Sequence, residues 1–139
     1  MAHDHDVTRL LAEAAAQLGD AAALEHYAPK LEELAARDDH KLYRPIAHRA
    51  LGVAARLRGD GAEAEARFGR ALEAFGQLGA RWQAGRTLVE LGELALARAD
   101  AAAARDAFGQ ALAAFEEVQA APDAERARSR LASVGSIPA

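Results

Sequence analysis

The chain has 139 residues, of which 51% are hydrophobic but only 5% aromatic, and it carries a formal net charge of −4. That length suffices for one domain with a real core, and the acidic balance argues against general nucleic-acid binding, which needs a basic face to displace counterions, while leaving room for a local basic stripe. There is no cysteine, so disulfides, thiolate zinc sites and cysteine nucleophiles are excluded.

In chain order, Met1 to Val7 carries Asp4 and Asp6 and no apolar stretch, so this segment is not expected to act as a secretory signal. No run approaches the ~20 apolar residues of a membrane span. The chain is expected to be cytoplasmic, with no membrane or nucleic-acid partner. Abundant Ala, Arg and Gly, with Lys30 and Lys41 the only lysines and no asparagine, point to a GC-rich bacterial genome. Strand patterns are missing, and apolar residues three and four apart recur throughout. They predict helices over 5–18, 20–36, 42–58, 61–77, 82–98, 101–119 and 123–134. Pro29 is expected to kink or split the second helix. Pro45 falls near the start of the third, where proline is tolerated. Pro122 is expected to stop the sixth. The tail 135–139 has no periodicity and is expected to fray.

The chain also repeats itself every 40 residues. Leu51-Gly52 recurs as Leu91-Gly92, and the block from Phe68 to Phe75 recurs from Phe108 to Phe115. The breaks are Leu18-Gly19-Asp20, Arg58-Gly59-Asp60 and Arg98-Ala99-Asp100. Glycine ends a helix in the left-handed conformation, and the following aspartate caps the next. Such a period marks a solenoid of stacked hairpins, none of which buries its apolar face alone.

The pattern resembles the tetratricopeptide repeat, whose motif is Trp-x2-Leu-Gly-x2-Tyr, then Ala-x3-Phe, then Pro. The second unit reads His48-x2-Leu51-Gly52-x2-Ala55, then Ala64-x3-Phe68. The third reads Leu88-x2-Leu91-Gly92-x2-Ala95, then Ala104-x3-Phe108. The first is divergent, with Ala12 for the glycine and Ala28 for the phenylalanine. The spacing favours this family over HEAT and armadillo repeats. The family's period is about 34, and its closing proline is replaced here by Gly76 and Glu116, so the second helix can run on. The longer form is similar to repeats of bacterial signalling ATPases and MalT-like regulators, on segments such as Ala71 to Trp82. The resemblance implies an all-α, right-handed helical-hairpin solenoid: one domain with repeats at 5–44, 45–84 and 85–122, a capping helix at 123–134 and a frayed tail at 135–139. On the cap, Arg126, Arg128, Ser129 and Arg130 are expected outward and Leu131 and Val134 inward. The start at Met1 and this cap favour an independent protein.

Catalytic constellations are missing. His3-Asp4-His5-Asp6 is weak metal-ligand spacing at a terminus. His26, His40 and His48 lack a zinc-binding set, and His48, at an aromatic position of the motif, is expected to pack. Gly59-Asp60-Gly61 lacks the Lys-Ser/Thr of a phosphate loop. Serine occurs only at 129, 133 and 136, which leaves a serine triad no plausible nucleophile. Glu32-Glu33 and Glu116-Glu117 read as solvated faces. Trp82 is expected to pack across the preceding hairpin.

No catalytic, cofactor or metal residue is therefore expected. By the resemblance, the first helix of each unit lines a concave groove. The groove residues are then Arg9 and Glu13; Arg49, Val53 and Arg56; Arg86, Val89, Glu93 and Leu96; and Arg126 on the seventh helix. The arginines would form a basic stripe suited to carboxylates. The implied function is a non-catalytic scaffold that binds a partner protein or a peptide, acidic or C-terminal. The alternative is a ligand-sensing or regulatory arm of a larger signalling or transcription-regulatory protein. Pairing of the first hairpin with a second copy, giving a homodimer, stays open.

Overall fold

The computed structural model describes residues 3–135, with side chains from Asp6 onward. The side chains of His3 and His5, and residues 136–139 of the tail, lie outside the described residues. The elements are α1 (His3–Leu18), α2 (Ala21–Arg37), α3 (Tyr43–Leu57), α4 (Gly61–Leu78), α5 (Arg81–Ala97), α6 (Ala101–Glu117) and α7 (Ala121–Gly135), with no strand among the described residues. This is an all-α fold of repeated helical hairpins.

The turns explain where the helices stop. Positive φ occurs at Gly19 (67°), Asp39 (48°), Gly59 (84°), Gly79 (67°), Ala99 (57°) and Gln119 (57°), a residue every half-repeat. At each, the next amide reaches back five residues: Asp20 N to Ala15 O at 2.9 Å, Asp60 N to Ala55 O at 2.8 Å, Asp100 N to Ala95 O at 2.9 Å. These are Schellman ends, which use the last free carbonyls of one helix. Asp20, Asp60 and Asp100 then accept the amides of Ala23, Glu63 and Ala103, each at 3.1 Å, and so cap the next helix.

Neither Pro29 nor Pro122 ends a helix. Helix α2 runs unbroken through Pro29, which lies on its exposed face, so the lost hydrogen bond falls where water can reach the carbonyl. Pro122 does not stop α6. That helix ends at the left-handed Gln119, and Pro122 sits in the first turn of α7, where its missing amide costs nothing.

The molecule comprises two compact units, Met1–Ala74 and Phe75–Ala139, with the boundary inside α4. In the first, α1 packs on α2 and α3, and α2 on α3. Gly52 lies against the Phe68 ring so closely that a Cβ would come within 2.5 Å of Cε1. In the second, α5 packs on α6 and α6 on α7. Gly92 meets Phe108 at the same 2.5 Å, and Gly85 meets Phe115 at 2.7 Å. Phe108 is fully buried with Ala104 and Val134, and Val89, Leu96 and Leu131 pack against this cluster. Full burial of each phenylalanine contributes about 1.5–3 kcal/mol, available only because the facing residue has no side chain. The first repeat reaches closeness another way: Ala12 and Ala28 hold these positions, both fully buried.

Candidate functional site

In the first unit three of the predicted groove residues, Arg9, Glu13 and Arg49, form an ion-pair group. Arg9 Nη1 donates to Glu13 Oε2 at 2.7 Å, and Arg49 Nη2 to Glu13 Oε1 at 2.9 Å. The Arg9 guanidinium lies 5.5 Å from the centre of the Tyr43 ring, and the Tyr43 hydroxyl donates to Asp6. The Arg49 side chain is only 3% exposed, and Val53 is fully buried. Both sit beneath the surface, and Arg49 pairs with Glu13. Arg56 stays half-buried on the same helix.

The second unit brings two predicted residues together through two unpredicted ones. Trp82 donates its Nε1–H to Asp123 Oδ2 at 2.9 Å, so it is tied forward to α7. Arg126 also donates to Asp123, and the Arg86 guanidinium lies 5.5 Å from the indole centre, in cation–π range. Arg126 remains exposed. Glu93 is already engaged, because Arg130 grips it with Nε at 2.6 Å and Nη2 at 2.9 Å. Arg130 thus faces α5 instead of pointing outward, whereas Arg126, Arg128 and Ser129 are exposed and Val134 is buried, as the capping polarity predicts. Val89 and Leu96 are partly buried against the Phe108 cluster.

A third group was not foreseen. His48 takes part in a polar network instead of packing as an aromatic. Its Nδ1 lies 2.9 Å from Arg67 Nη1 and 3.8 Å from Glu32 Oε2. Arg67 also donates to Glu32, and through Nε to Glu63 at 2.8 Å. An arginine only donates, so Nδ1 is the acceptor and the proton of the neutral ring sits on Nε2. Burial, and then the charge of Arg67, hold the His48 pKa below its usual value; Arg70 and Arg44 act the same way, against Glu32. An open cleft of about 380 Å³ lies beside it, lined by Glu32, Glu33, Ala36, Arg44 and His48. Glu32 is therefore part of a network, while Glu116 and Glu117 remain exposed, paired with Arg128 and Arg81.

Several missed pairs share a signal that was available. Asp6 and Tyr43 are 37 residues apart, Glu13 and Arg49 are 36, and Glu93 and Arg130 are 37. That is one repeat less a turn of helix, which aligns successive first helices. Among the described residues no group of three or more His, Cys, Asp or Glu side chains could hold a metal ion, and no helix is long and apolar enough to cross a membrane.

No curated protein matches the chain. A family model described as the tetratricopeptide repeat matches residues 43–117. That span takes in α3 to α6 and the Gly–Phe crossings at the motif positions of the two full repeats, Gly52 with Phe68 and Gly92 with Phe108, along with Gly85 against Phe115. The chain therefore belongs to the tetratricopeptide repeat family, whose repeats are generally non-catalytic protein-interaction scaffolds.

Proposed function

We propose that the chain is a non-catalytic protein–protein interaction module that takes a peptide or partner protein in the groove assigned to its first helices. The repeat match over 43–117 carries the reading. In the second unit the accessible anchor is Arg86 beside Trp82, with the exposed Arg126 near by. A planar cation on an aromatic face, with a second, exposed cation held by Asp123, suits an acidic side chain or a terminal carboxylate. Arg49 and Val53 act from below, as supports. The 40-residue period favours a second reading: a regulatory or ligand-sensing arm of a larger bacterial protein.

The test begins with a pull-down from the native cell, followed by titration of the captured partner or its acidic segment. Affinity should fall as salt rises, because exposed charges are screened over about 8–10 Å at physiological ionic strength. Arg86→Ala should cost roughly 1.5–3 kcal/mol of binding and leave the helical spectrum intact. Unchanged affinity in Arg86→Ala would remove this face from the binding surface.

A further inference from the structure

Helix α1 is apolar on two sides. Thr8, Ala12 and Ala15 are buried. On another side Val7 is 56% exposed, Leu10 56%, Leu11 39% and Leu18 81%, with exposed Ala14 among them. At about 100° per residue these five fall within an arc of roughly 100°.

The repeat register shows what this face does elsewhere. One period on, its positions are Ala47, Ala50, Leu51, Ala54 and Arg58: the three alanines are 0%, 3% and 6% exposed and Leu51 is partly buried, on a helix packed against both members of the hairpin before it, while Arg58 at the end of the stripe is exposed. Two periods on they are Thr87, Glu90 and Leu94, at 0%, 9% and 4%, with Leu91 partly buried and Arg98 exposed, so Leu18 puts an apolar side chain where the other repeats have an arginine. Helix α1 presents the same face with larger apolar side chains, Val7 for Ala47 and Leu10 for Ala50, and leaves it open.

The chemistry of the stripe selects its cover. Val7, Leu11, Ala14 and Leu18 are spaced four, three and four residues apart, the seam that receives another helix. The stripe holds no charge: Arg9 and Glu13 turn away and pair with each other and with Arg49. An uncharged seam gives no hold to a charged partner and repels no copy of itself. Set antiparallel on its own copy, it brings Val7 opposite Leu18 and Leu11 opposite Ala14, so each layer joins a larger side chain to a smaller one. The exposed residues of α7 include Glu125, Arg126, Arg128 and Ser129 as well as Ala121, Pro122 and Ala132, a side rich in charge that matches an apolar seam less well than a second α1 does. We propose that α1 docks on α1 of a second copy, antiparallel about a two-fold axis. One helix face is smaller than the roughly 800 Å² per partner of a standard interface, so the dimer is weak and concentration-dependent.

Sedimentation equilibrium from micromolar to millimolar protein tests this. The parent should pass from monomer to dimer and no further. Leu10→Glu combined with Leu18→Glu should weaken dimerisation by at least roughly tenfold, with circular dichroism and melting temperature unchanged, since both positions are exposed. The chain has no cysteine, so engineered ones report register. A mixture of Leu11→Cys and Ala14→Cys proteins should cross-link between the two variants faster than Leu18→Cys links to itself. A parent that stays monomeric at millimolar concentration would overturn the proposal. So would a dimer that survives both glutamates, growth beyond a dimer, or faster linking at Leu18.

Discussion

At Gly92 the absence of one carbon holds two helices together. A Cβ would lie 2.5–2.7 Å from three atoms of the Phe108 ring, and that ring is fully buried and cannot swing away. Even Gly92→Ala should therefore destabilise, by about 1–3 kcal/mol, the range for overpacking. Gly69 is the control: it is helical, exposed and has nothing within 4 Å of its missing Cβ. Gly69→Ala should stabilise by roughly 0.5–1 kcal/mol. Urea melts of the two variants should move in opposite directions; equal shifts would disprove the crossing. His48 supports a prediction of a different kind. Its folded-state pKa is lowered by burial and by Arg67, so folding favours the neutral ring. The stability it contributes is present above its unfolded value of about 6.5 and is lost as pH falls through the lower folded value. His48→Gln keeps an acceptor for Arg67 and removes the proton site. The parent should lose more stability than His48→Gln between about pH 7 and pH 5, and parallel losses would show that the ring does not titrate against Arg67.

The helices were legible because their boundaries are written twice, in periodicity and in turn chemistry. Gly19 and Gly59 announce left-handed turns, and the aspartate after each announces the cap. The turns at Asp39 and Gln119 are as left-handed as these but carry no glycine, so the polar break at 119 was read as more helix. Pro29 does not split α2, because a proline's effect depends on which face it occupies, and its exposure on a cooperative helix of 17 residues is not written in the linear sequence. The same logic yields a gain of stability. Ala99 sits at φ 57° where the other repeats have glycine, and a left-handed alanine is strained by roughly 1–2 kcal/mol. Ala99→Gly should raise stability by about 0.5–1 kcal/mol, the strain relieved less the entropy a glycine adds to the unfolded chain. Thermal unfolding checks this, and a lower melting temperature would mean that the turn tolerates its alanine.

Across the whole molecule, the repeat told which positions share an environment but not which charges find each other. Arg49 and Arg86 look equivalent as first-helix arginines, yet one is 3% exposed against Glu13 and the other lies on Trp82. That difference arises from residues 36 and four positions away, on different helices in the first case. Pairings of this kind become legible only when the repeat length is turned into a register. The repeats also differ in how well they are filled. The first has Ala28 where the others have Phe68 and Phe108, and Pro29 removes an amide from its second helix. In a repeat array each unit leans on its neighbours alone, so a terminal hairpin with smaller side chains and an open apolar face opens first. Hydrogen exchange at low protein concentration should give residues 5–36 weaker protection than residues 82–119. At high concentration, the seam on α1 should raise protection of 7–18 selectively, because burying that face opposes the opening of the helix that carries it. Equal protection of the two segments at low concentration would show that alanine-on-alanine packing at Ala12 and Ala28 holds the first hairpin as firmly as a buried phenylalanine holds the third.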